Sequence, residues 1–133
     1  MSKVERFEDL EIWQNARLLC QKIEELYSKV SFAKDFELKN QINASSGSIM
    51  DNIAEGFERD GRNELINFLS FSKDSAGETK SQLYRAFDRK YIIEKEFNEC
   101  YNLADETAKK ISNFIKYLNQ SEFKGSKFKN RVN

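Results

Sequence analysis

An all-α fold, an antiparallel up-down-up-down four-helix bundle, is predicted by three features of the sequence. Apolar residues recur at steps of three and four along most of the chain, the period of a helix with one buried face. Proline is absent and glycine occurs at only 5 positions, so little in the backbone interrupts long helices. Turn-forming residues divide the chain into four helical segments of similar length, and short connections make successive helices run antiparallel. With 133 residues the chain can bury a sizeable core, assigned to a single domain over residues 1–120 and followed by a tail over 121–133.

The first helix is predicted over residues 7–30, with Ile12, Trp13, Ala16, Leu19, Cys20, Ile23, Leu26, Tyr27 and Val30 on one wide face. Asp9 and Glu11 lie near its start, where the helix dipole favours acids. Ser28, Lys29, Ser31 and Lys34 belong to the first connection, and Asp35 is a fitting N-cap for the second helix. That helix ends near residues 57–59, before the Asp60-Gly61 turn signal. The third helix is predicted over 63–90, with Leu65, Leu69, Ser72, Ala76, Thr79, Leu83 and Phe87 along its seam. Its small residues Ser72, Ser75 and Ala76 let a neighbouring helix come close. Phe68 and Phe71 stand to one side of that seam and are read as a subunit contact. The fourth helix, over 94–118, buries Phe97, Cys100, Ala104, Ala108, Ile111, Ile115 and Leu118. Trp13, Tyr27 and Phe87 are placed in the core and Tyr117 on the surface. Cys20 and Cys100, far apart and at apolar helix positions, are predicted to be free core thiols and not a disulfide.

The second helix carries the feature around which the rest is arranged. Leu38, Ile42, Ile49 and Ile53 fall on one face, and beside them runs a polar line of Gln41, Ser45, Ser48, Asn52 and Glu55, ending at Gly56. Half-buried amides and hydroxyls need partners. The reading taken is structural, a network that fixes helix register or a subunit joint; the alternative is a ligand site at the bundle edge. Gly56 either closes the helix or permits close backbone approach.

Charge and composition restrict the chemistry. Lysine plus arginine and aspartate plus glutamate both total 22, a formal net charge of zero, which argues against a dedicated nucleic-acid binder. Histidine is absent, so Ser-His and Cys-His pairs and the Glu-x-x-His di-iron signature cannot occur. Glu55, Glu64 and Glu78 could in principle form a carboxylate site, but Glu78 is predicted to point away from the apolar seam with Asp74 and Arg85. No metal, cofactor or catalytic residue is expected, and no phosphate loop or zinc-spaced cysteine pair occurs. Candidate nucleic-acid contacts are Lys80, Arg85, Arg89 and Lys90, with Arg59 and Arg62 in a second patch. The tail adds Lys124, Lys127, Lys129 and Arg131 against Glu122, and is predicted to be basic and disordered. No apolar run approaches the roughly 20 residues that span a bilayer, and a signal-peptide pattern is lacking, so a cytosolic location without membrane contact is expected.

The residues at Phe7, Leu10 and Trp13, Gln41-Ile42, Ser48-Ile49, Asn52-Ile53-Ala54-Glu55-Gly56, Ser75-Ala76, Glu78 and Gln82-Leu83 together resemble the bacterial family of 23S rRNA intervening-sequence proteins. The resemblance covers residues 7 to about 118. It departs from the family pattern at Asn43, Ala44 and Asp74. It implies an antiparallel four-helix bundle assembled as a homopentamer. Some members are encoded inside insertions of the 23S rRNA gene, and related bundles serve diversity-generating retroelements, where a basic surface contacts RNA and a reverse transcriptase. The function expected is therefore a non-enzymatic oligomeric scaffold whose partner is RNA or an RNA-associated protein. The alternative is a structural or protein-binding homo-oligomer with no nucleic-acid contact.

Overall fold

Residues 4–120 are described by the computed structural model. Chain entry differs from the expected helix start at residue 7. A 3-10 turn at Phe7–Asp9 comes first, held by Asp9, whose Oδ2 accepts from the backbone N–H of Arg6 (3.3 Å) and of Glu5 (3.4 Å). Leu10 is then extended and buried, Phe7 packs edge-on against Trp13 (ring centroids 5.2 Å apart), and helix α1 runs over Glu11–Tyr27. Its end also comes earlier than residue 30. Ser28 Oγ donates to Glu24 O (2.7 Å), competing for the last turn, and Lys29 is extended. Val30, expected in the core, is 73 % exposed and opens the short helix α2 (Val30–Ala33). Phe32 takes the buried place instead, stacked 5.2 Å from Tyr91 and edge-on to Tyr27.

Helix α3 spans Phe36–Glu58, capped as expected by Asp35, which accepts the Leu38 N–H (3.1 Å). Helix α4 spans Arg62–Asp88 and helix α5 Glu94–Gln120. The expected end of the third helix at residue 90 is corrected. Lys90 has φ 64°, its N–H bonds Phe87 O (2.9 Å), and the Tyr91 N–H bonds Ala86 O (3.0 Å). This is a Schellman closure, with lysine standing in the left-handed position that glycine usually fills.

Side-chain pairings give the directions of the long helices. Rising numbers on α3 meet falling numbers on α4: Gln41 with Arg85, Ser45 with Thr79, Ser48 with Ser75 and Ile49 with Ser72. The same inversion pairs Phe87, Tyr84 and Lys80 of α4 with Phe97, Tyr101 and Asp105 of α5. It also relates α1 to α3, through Cys20 with Ser46 and Tyr27 with Asn43. Four antiparallel helices thus enclose one core, with Leu19, Ile23, Leu38, Ile42, Ile49, Ile53, Leu69, Leu83 and Ile111 at its centre. Phe87, expected inside, is 37 % exposed, and Trp13 and Tyr27 are half-buried. Cys20 and Cys100 are free thiols. Among the described residues, no helix is long and apolar enough to cross a membrane.

Candidate functional site: the polar groove between α3 and α4

Small residues let α3 and α4 approach closely, and the polar groups brought with them bond across the joint. Ser72 Oγ donates to Ile49 O (2.8 Å) inside the core, where an unpaired hydroxyl would cost roughly 1–3 kcal/mol. Above it, Ser75 Oγ donates to Ser48 Oγ (2.9 Å), and Ser48 Oγ also accepts from Asn52 Nδ2 (2.8 Å). One turn further, Ser45 Oγ lies 2.9 Å from Thr79 Oγ1 and donates to Gln82 Oε1. At the upper end Arg85 Nη1 donates to Gln41 Oε1 (2.8 Å). The outer lip of this row is a groove of about 350 Å³ lined by Gln41, Ala44, Ser45, Ser48, Glu78 and Gln82.

Most of the predicted polar line is therefore gathered into one place. Gln41, Ser45 and Ser48 line the groove, and Asn52 supports it through its bonds to Ser48 O (2.9 Å) and Ser48 Oγ. Glu55 is a correction: it is exposed and pairs along its own helix with Arg59 (3.3 Å). Gly56 lies inside the helix, which runs on to Glu58, so it permits close approach and does not close the helix. A Cβ there would stand 2.7 Å from Phe68 Cβ and 3.2 Å from a Leu65 methyl. Glu78, predicted to point away, lines the groove instead. Ser46, buried and bonded to Ile42 O (2.7 Å), was not singled out in the sequence, and Gln82 was noted only within the resemblance. The signal that could have found Gln82 is its three-residue offset from Thr79, which puts both on the α3-facing side of α4.

The cations do not form the patch expected on the third helix. Arg85 reaches α3, and Arg89 pairs with Asp35 (2.7 Å) across the upper connections. Lys80 faces α5, where it pairs with Asp105 (3.0 Å), and Lys90 sits in the turn after α4. At the other end Arg59 pairs with Glu55 and lies over the Phe68 ring (5.0 Å to the centroid), and Arg62 opens α4. Phe68 is half-buried and edge-on to Phe71, which is 51 % exposed. Lys124, Lys127, Lys129 and Arg131 lie outside the described residues.

Chemically the groove offers hydroxyls and amides already engaged in joining two helices, and Glu78 as its one lining carboxylate. Among the described residues no group of three potential metal ligands stands together. The thiols are also poorly suited to attack. Burial pushes Cys100 up to about 11, and burial raises Cys20, whose Sγ donates to Ser46 O (3.2 Å).

Comparison with known proteins bears on this geometry. The family model described as 23S rRNA-intervening sequence protein matches residues 8–113, which include the whole groove. Comparison with curated proteins gives no match. Among solved structures, the chain is similar to a protein of unknown function from the S23 ribosomal protein family of Bacteroides thetaiotaomicron VPI-5482, determined by crystallography at 1.70 Å. The two share 27 % identity with a TM-score of 0.74, over 79 % of this chain and 98 % of that one.

Proposed function

The chain belongs to the 23S rRNA-intervening sequence protein family, and from that premise we propose that it is a non-enzymatic scaffold that assembles as a homo-oligomer and engages RNA or an RNA-associated protein. The observation that carries the scaffold reading is the groove itself. The residues that mark the family, Gln41, Ser48, Ser75, Glu78 and Gln82, converge on the α3–α4 joint, and their hydroxyls and amides are spent on holding two helices together. Polar groups already bonded across a joint support a structural frame better than they support a reaction. Phe71 projects from the same side of α4 as Glu78 and Arg85, seven and fourteen residues away, so a second subunit laid along this face would cover it.

Family resemblance supports five copies, and a closed ring requires a heterologous contact, one face of each subunit against a different face of the next. Light scattering on the full chain is expected to give a mass near five protomers. Phe71→Asp is expected to reduce that mass with helicity retained. A monomer at micromolar concentration would end the assembly reading. The competing function, a protein-binding assembly that never meets RNA, draws on the zero net charge and on the internal pairing of Arg59, Arg85 and Arg89. A gel shift with ribosomal RNA fragments at low and high salt separates the two, because phosphate contacts release counterions and weaken steeply as salt rises.

A further inference from the structure

Four aromatic rings occupy the seam between α4 and α5, on the side of α4 remote from the polar groove. Tyr84 lies 4.8 Å from Phe97 and 5.6 Å from Tyr101, Phe87 lies 5.3 Å from Phe97, and Phe97 stacks on Tyr101 at 5.4 Å. Phe97 is buried and anchors the group, whereas Tyr84 is 50 % and Phe87 37 % exposed. Packing accounts for the buried ring and leaves the exposed half of Tyr84 unused. Beside the rings, Asp105 takes Lys80 Nζ on Oδ1 (3.0 Å) and Lys109 Nζ on Oδ2 (3.0 Å). Two ammonium groups on one carboxylate leave a net positive charge. Lys80 Nζ also lies 5.5 Å from the centre of the Tyr101 ring, one ring away from Tyr84. Hydrogen bonds from Lys109 and then Lys80 hold the Asp105 carboxyl below the usual carboxylate range.

A held positive charge next to an open aromatic face fits a nucleotide unit, with a phosphate on the cation and a base on the ring. A duplex has its bases already stacked on each other, so an unpaired strand is the form that fits. We infer that the α4–α5 face binds single-stranded RNA, with a base stacked on Tyr84 and the adjoining phosphate held by Lys109 and Lys80. This rests on the RNA-contact reading above; of the expected patch of Lys80, Arg85, Arg89 and Lys90 it keeps Lys80 alone.

The test is fluorescence anisotropy with a labelled single-stranded ribo-oligonucleotide of about ten nucleotides and the full-length protein, with light scattering and circular dichroism on every variant. Wild type is expected to bind saturably at low salt. Its affinity should fall about threefold between about 50 and 200 mM salt for the one phosphate neutralised. Tyr84→Ala is expected to weaken binding about 5- to 100-fold, and Tyr84→Trp to restore it. Lys109→Glu, at a side chain 76 % exposed and so harmless to packing, is expected to weaken binding and flatten the salt dependence. Duplex RNA and adenosine monophosphate should compete poorly. Equal binding by Tyr84→Ala and Lys109→Glu, no saturable binding by an intact oligomer, or full displacement by the mononucleotide at matched concentration would overturn the inference. Splitting of the oligomer by Tyr84→Ala would do so too, because the face would then be a subunit joint. An intact oligomer without RNA binding leaves the scaffold reading in place, whereas a monomer removes the scaffold alone.

Discussion

Gly47 and Gly56 sit in the same helix, and a single methyl group placed on each reports opposite things. At Gly56 the new Cβ would meet Phe68 Cβ at 2.7 Å, closer than carbon atoms pack, so α3 and α4 must separate or Phe68 must move. At Gly47 nothing lies within 4 Å. Alanine is the better helix former by about 1 kcal/mol at both, while overpacking costs about 1–3 kcal/mol where the space is filled. Gly56→Ala is therefore expected to destabilise by up to about 2 kcal/mol and Gly47→Ala to stabilise by up to about 1 kcal/mol, both measured by urea unfolding. The same sign for both would show that α3 and α4 are not in the close contact described. The two glycines are equivalent as sequence, each inside a helical period, and the close approach at Gly56 could be named from the chain only as one of two options. What decides between them is the position of Phe68, a residue of a different helix, which no local pattern carries. The same limit applies to Glu55. Its spacing puts it on the polar line, but α4 meets this turn through the neighbouring Gly56, which leaves Glu55 exposed, and Arg59 one turn on supplies its partner.

Helix ends are where local chemistry acts over a short range, and Asp35 was legible as a cap for that reason. Its carboxylate does more than cap α3. Oδ1 accepts the Leu38 N–H, while Oδ2 accepts from Arg89 Nη1 (2.7 Å) and the Tyr91 hydroxyl (2.9 Å), tying the start of α3 to the end of α4. The Leu38 N–H foremost, then Tyr91 and Arg89, hold this carboxyl below the usual carboxylate range. A depressed folded-state pKa contributes stability that is fully present above the unfolded value, near 4, and is lost as pH falls through the folded value. Asp35→Asn is thus expected to melt lower than wild type at pH 7, with the gap narrowing as both are acidified below about pH 4. A gap that stays constant down to about pH 2.5 would mean that the charge of Asp35 is not what joins the two ends. The opening of α1 was less legible than this cap. Phe7, Leu10 and Trp13 share a helical period, but Asp9 ties its side chain back to Glu5 and Arg6 and the chain makes a 3-10 turn there. Phe32 was overlooked for a related reason: a lone phenylalanine among polar connection residues has no period, and its partners Tyr27 and Tyr91 come from distant parts of the chain.

The period of the apolar residues made the four-helix plan legible because every long helix buries one stripe against the same core, but it carries no information about which helix faces which. The two cysteines can test whether the result opens as a unit. Cys20 meets α3 through Ser46 O, whereas Cys100 is buried on α5, with α1 charges such as Lys22 close enough to act on it. A thiolate is the reactive form, and burial raises both thiols, Cys100 to about 11, so at pH 8 each reacts slowly until the helices around it part. If α1, α3, α4 and α5 form one cooperative core, alkylation of both cysteines should be slowed at least about 100-fold relative to the urea-unfolded chain. Both should then become reactive with a common urea dependence, read peptide by peptide by mass spectrometry. Earlier exposure of Cys20 would mean that α1 peels from α3 while α4 and α5 stay paired. The hydrogen bonds crossing the α3–α4 joint favour the common transition only if α1 is held as firmly as those bonds hold α3. Its hold comes from buried Ala16, Leu19, Ile23 and Leu26, which expose apolar surface together when α1 leaves, so partial release gains little chain entropy for a large loss of burial.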